Sequence, residues 1–115
     1  MKLQTIKESK NKNEYEESIK NFADALDQRL TFLKEEKSKV EKSAMESYES
    51  KVQYITSKRN EVETRLEEIK STSQAKWNET YSAVHQELTK ISSEADEVYV
   101  GLTNGFDYLF KKMKS

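Results

Sequence analysis

His85 is the only histidine in the chain and there is no cysteine, so any metal chemistry falls to His85 and the carboxylates. On a helix, the one-turn neighbours of His85 are Tyr81 and Thr89, and the third positions on either side hold Ser82 and Leu88. The Glu-x-x-His pairs that assemble di-iron sites inside helical bundles are therefore missing. His85 is expected at a rim or on the surface, not as a ligand. Carboxylates abound, with Glu35 beside Glu36 and Glu67 beside Glu68. They read as solvated helix faces, where Glu35–Lys39 and Glu61–Arg65 have the i,i+4 spacing of pairs contributing about 0.2–0.5 kcal/mol each. No glycine-rich phosphate loop, Gly-x-Ser-x-Gly elbow or His-Glu-x-x-His signature is present. The expectation is a non-enzymatic protein with no catalytic, cofactor-binding or metal-ligating residues.

The elements that carry these side chains are expected to be helices. Charged residues make up 36% of the 115 and hydrophobic ones 34%, with a net charge of only −1, so one domain with a thin apolar supply is the upper bound. A disordered chain that folds on a partner is an open alternative at this composition. Proline is absent and the two glycines come late, at Gly101 and Gly105, so neither strong helix breaker occurs before residue 101. The period-two alternation and turn punctuation of a sheet are missing.

One apolar stripe runs the length of the chain. From Tyr15 it steps by three or four through Ile19, Phe22, Leu26, Leu30, Leu33, Lys37, Val40, Ala44, Tyr48, Val52, Ile55, Arg59, Val62, Leu66, Ile69 and Ser73. It continues through Trp77, Tyr81, Val84, Leu88, Ile91, Ala95, Val98, Leu102, Phe106, Leu109 and Met113, with a mean step of 3.63 over 27 steps and 98 residues. Only Lys37, Arg59 and Ser73 interrupt it with polar groups. A mean between the heptad's 3.5 and the 3.67 of an eleven-residue repeat predicts straight, laterally packed helices with little supercoil.

Asn13 with Glu16 has N-cap spacing, which places a basic, disordered arm at 1–13 and a single helical domain at 14–115. Ser71 with Gln74 has capping-box spacing beside the polar step at Ser73, so a turn is expected near 71–73. Breaks near 43–47, in a serine-rich stretch, and near 101–105, at the glycines, are further candidates. The fold class is all-α. A long antiparallel hairpin or coiled-coil-like bundle, with a first helix over 14–70 and self-association to cover its overhang, is the main expectation. A three-helix bundle with turns at both serine-rich sites is the alternative.

The C-terminal segment 98–114 holds the candidate interaction surface: Val98, Leu102, Phe106, Leu109, Phe110 and Met113, followed by Lys111, Lys112 and Lys114. A wide apolar face with aromatic rings and flanking lysines suits the end of a bundle, a homo-oligomer interface or partner helices, or an anionic membrane surface. Residues 1–13 carry +3 and residues 106–115 carry +2, leaving the middle acidic, and no basic face persists that would favour nucleic acid. The first fifteen residues lack the apolar core of a secretion signal, and no run approaches the roughly 18 apolar residues of a membrane span. The corresponding expectation is a cytoplasmic location, with the membrane periphery as its variant.

The segment YESKVQYITSKRNEVETRLEEIKSTSQAKWNETYSAVHQELTKISSEADEV, residues 48–98, resembles a family of small bacterial coiled-coil proteins often labelled stress-response proteins. The likeness lies in the order of parts: Tyr48-Glu49, the pair Lys58-Arg59, the block from Leu66 to Lys70, a polar step, and Trp77 followed by apolar residues at helical spacing. The resemblance implies a stress-related role and no catalytic residues. Lipid-handling helical proteins such as apolipoproteins and phasins share the straight amphipathic periodicity and form the competing comparison.

Overall fold

The computed structural model describes residues 11–105. They form three helices: α1 (Lys12–Glu36), α2 (Met45–Lys70) and α3 (Gln74–Asn104), with no strand among them. At 1.5 Å per residue the helices are about 38, 39 and 46 Å long. Asp27 bonds Arg59 and Lys37 bonds Glu49, so α2 runs antiparallel to α1. Lys58 to Glu94 and Arg65 to Glu87 likewise set α3 antiparallel to α2. The protein is all-α, and its architecture is the three-helix alternative: the helix expected over 14–70 is interrupted at residues 37–44.

That interruption consists of two single 3-10 turns, Lys37–Lys39 and Lys42–Ala44, around an extended pair. Val40 (ψ 134°) and Glu41 (ψ 142°) reverse the chain, and Val40 closes the end of the core at 6% exposure. Ala44, Met45 and Tyr48 are indeed in phase with Leu33, but phase alone does not make the helix continuous. The Lys37 N–H turns back to the carbonyl of Lys34, and the Leu33 carbonyl accepts instead from the Tyr48 hydroxyl at 2.6 Å. A side chain from α2 thus satisfies a carbonyl at the end of α1. Burial, reinforced by the charge of Glu36 and by Tyr99, pushes the Tyr48 phenol up to about 12.

The second turn lies at 71–73. Its cap is Ser73, whose side chain accepts from the Lys76 N–H, whereas the Ser71 hydroxyl donates back to Glu68 O. At the start of the bundle the cap is Asn11, two residues ahead of Asn13, and its side chain accepts from the Glu14 N–H. Lys12, expected in a disordered arm, is helical, and its ammonium donates to the Lys70 carbonyl at the far turn. Near the other end, α3 continues through Gly101 to Asn104, and the N–H of Gly105 closes it on the carbonyls of Gly101, Leu102 and Thr103.

The core follows the stripe, with a sharper period than the whole-chain average. In α2 the inward positions are Tyr48, Val52, Ile55, Arg59, Val62, Leu66 and Ile69, six steps over 21 residues, or 3.5 each. In α3, Trp77, Tyr81, Val84, Leu88, Ile91, Ala95, Val98 and Leu102 alternate steps of four and three. In α2 and α3 this is the alternation of a heptad, while α1 steps 4, 3, 4, 4 and 3 from Tyr15 to Leu33, and the steps counted across the turns raise the whole-chain mean to 3.63. Each polar interruption has a use. Lys37 opens the first turn, Ser73 caps α3, and Arg59 reaches across to Asp27.

Candidate interaction surface

The three arginines of the chain each join a different pair of helices. Arg59 of α2 meets Asp27 of α1 through Nε at 2.8 Å and Nη2 at 3.2 Å. Arg65 of α2 meets Glu87 of α3 at 2.6 Å, and Arg29 of α1 meets Asp96 of α3 at 2.9 Å. Hydrogen bonds to Asp27 hold the Arg59 guanidinium above its ordinary range against the opposing effect of burial. The expected pairs Glu35–Lys39 and Glu61–Arg65 give way to others: Lys39 joins Glu36, Glu61 joins Lys58, and Arg65 joins Glu68 and Glu87. The planar five-donor fork of arginine suits such cross-helix bridging better than lysine's point charge.

Arg29 is the one buried charged residue among those described, at 3% exposure. Its guanidinium carbon lies 4.1 Å from the centre of the Tyr99 ring, so a π face as well as the Asp96 carboxylate meets the charge. Burial raises the Tyr99 phenol, with Arg29 opposing that rise. Sequence reasoning passes over Arg29, although Phe22, Leu26, Arg29 and Leu33 follow the alternation of four and three that marks a core seam.

Near the start of α1 and α3, Tyr15, Trp77, Tyr81 and His85 form one aromatic cluster. Ring centres lie 4.9 Å apart for Tyr15–Trp77, 5.3 Å for Trp77–Tyr81 and 5.6 Å for the stacked Tyr81–His85. His85 sits half-buried at the cluster's rim, with Nδ1 2.9 Å from the Tyr15 hydroxyl. Large aromatic side chains such as these fill the space between the parallel helices α1 and α3. No group of three or more His, Cys, Asp or Glu residues placed to hold a metal occurs among the described residues.

The Arg29–Asp96 and Tyr15–His85 contacts fix which edges of α1 and α3 adjoin. Along that edge of α1, helical spacing puts Ser18, Ala25 and Phe32, all half-buried. Along the facing edge of α3 it puts Ser82, His85, Thr89, Ser92, Asp96 and Thr103, with Val100 beside them at 41% exposure. From residue 18 to 32 and from 82 to 103, the only charges on these two edges are Arg29 and Asp96, which neutralise each other. The outer side of α2 differs sharply, carrying Glu46, Glu49, Glu61, Glu63, Glu67 and Glu68.

Of the sequence-predicted surface, Val98 and Leu102 are within the described residues, and both turn inward. Leu102 is 2% exposed and Val98 packs against the core, because they continue the stripe from Ile91 and Ala95. They are core residues and not an interaction surface. Phe106, Leu109, Phe110, Met113, Lys111, Lys112 and Lys114 lie outside the described residues. No helix among the described residues is long and apolar enough to cross a membrane. No family model matches the chain, and neither the curated proteins nor the solved structures yield a relative.

Proposed function

We propose that this chain is a non-enzymatic helical protein that acts by contact, docking a helix from another molecule, in the first instance a second copy, on the α1–α3 edge. The supporting observation is the near absence of charge along that edge in a chain where 36% of residues are charged. Depletion of Lys, Glu and Asp is the compositional mark of the centre of a protein–protein interface. Small side chains at Ala25 and Ser92 let another helix approach closely, while Val100, 41% exposed, offers apolar contact. A stress-related role, implied by the likeness of residues 48–98, belongs to the same proposal.

Sedimentation equilibrium tests it. Reversible association at tens of micromolar is expected, and Ala25→Glu with Ser92→Glu should leave a monomer with unchanged circular dichroism. A strictly monomeric wild type, or a double variant that associates as well as wild type, would contradict the proposal. Binding to anionic liposomes that disappears on removing residues 106–115 would favour a lipid surface as the partner instead.

A further inference from the structure

The turn between α1 and α2 contains none of the residues that compel a chain to reverse. Residues 37–44 include no glycine or proline, and no described residue has a positive φ. The turn departs from helical geometry chiefly at Val40 (φ −75°, ψ 134°) and Glu41 (φ −57°, ψ 142°), and even there only in ψ. Rotating those two ψ angles by about 180° gives helical values at both residues, which would join α1 and α2 into one helix. The apolar stripe stays on one face through the join. Leu33 and Ala44 are eleven residues apart, close to three full turns, and Val40 and Tyr48 fall on the same side.

Straightening pulls α1 off its own α2. Asp27 and Arg59, bonded in the hairpin, are 32 residues apart and would sit about 48 Å apart along one helix. The core faces bared in this way are complementary to those bared in a second straightened copy. We propose that two copies exchange α1 by straightening residues 37–44, giving a swapped dimer. The contacts of α1 away from the turn, Asp27–Arg59, Arg29–Asp96 and Tyr15–His85, are all remade between copies. The two states differ at the turn itself. The Tyr48 bond to the Leu33 carbonyl and the Lys37–Glu49 pair belong to the hairpin, whereas in the joined helix that carbonyl accepts from the Lys37 N–H.

Refolding the full chain at high concentration, followed by size exclusion with light scattering, tests the exchange. Wild type is expected to give a dimer that persists on dilution, since separation requires α1 to unpack. Glu41→Pro suits the hairpin: φ there is −57° and Val40 before it is extended. Proline cannot continue a helix at that point. The variant should stay helical and monomeric, with the dimer reduced to a trace. Ser38→Ala with Ser43→Ala, both exposed, and separately Tyr48→Phe, should raise the dimer fraction several-fold. Ala25→Glu with Ser92→Glu should leave this slow dimer in place, so the swap is read separately from docking at the α1–α3 edge. Absence of dimer in wild type, or a dimer as abundant in Glu41→Pro, would overturn the proposal.

Discussion

Removing Asp96 should cost more than removing both Asp96 and the charge it serves. Arg29 is 3% exposed, while the side chain of Asp96 is 44% exposed, so the pair is buried on one side and wet on the other. Breaking a fully buried pair by deleting one partner costs about 3–5 kcal/mol. Solvent at Asp96, the Tyr99 ring at 4.1 Å and the contacts Arg29 keeps all cushion the loss, which brings the expected cost of Asp96→Ala to roughly 2 kcal/mol. Arg29→Met keeps most of the packed volume and removes the charge, so it should fall within about 1 kcal/mol of wild type. In the Arg29→Met background the cost of Asp96→Ala should vanish, leaving a coupling of roughly 2 kcal/mol. Thermal and urea unfolding of the four proteins provides the assay, with about 4–8 °C of Tm per kcal/mol for a domain near this size. An equal cost for Asp96→Ala in both backgrounds would refute the reasoning.

Two further substitutions examine the turns. Tyr48→Phe should cost about 1–3 kcal/mol, because it leaves the buried Leu33 carbonyl without its donor. It should also flatten the alkaline limb of stability. With Tyr48 held up to about 12 in the fold against about 10 in an unfolded chain, the unfolded state loses its proton first, so wild type loses stability as pH rises from about 10 to about 12. Denaturant titrations of both proteins at about pH 9 and about pH 11.5 measure the difference. At the second turn, Ser73→Ala should lower stability by about 1 kcal/mol through loss of the α3 cap, and Ser71→Ala by distinctly less. Parallel thermal melts decide that order.

How much of the fold is legible in the sequence depends on what each turn is made of. The turn at 71–73 announces itself through a serine cluster and a polar residue on the stripe, although Ser71 and Ser73 are equally eligible as caps. Asn11 and Asn13 pose the same ambiguity, each with a glutamate three residues on. The turn at 37–44 is harder to see, because it reverses without glycine or proline and returns the stripe in phase. The serine-rich stretch draws the eye to 43–47, which overlaps only the last residues of the turn at Ser43 and Ala44. Counting steps across it also raises the mean step, which masks the heptad alternation of α2 and α3. Arg29 escapes notice because charge on a seam reads as an interruption, and only the Asp96 and Tyr99 contacts, the first from a residue 67 positions on, explain it. The weakly charged α1–α3 edge needs the topology first, since its residues fall together only once α1 and α3 are known to lie side by side.

The three-helix arrangement itself is open to a single distance measurement. The chain has no cysteine, so spin labels at Asp24→Cys and Asn60→Cys, both exposed, report on α1 against α2 without interference. In dilute monomer the hairpin predicts a distance of about 20 Å, set by neighbouring helices roughly 8–10 Å apart plus the label arms. A distance of about 54 Å, the span of roughly 36 residues along one continuous helix, would contradict the bundle.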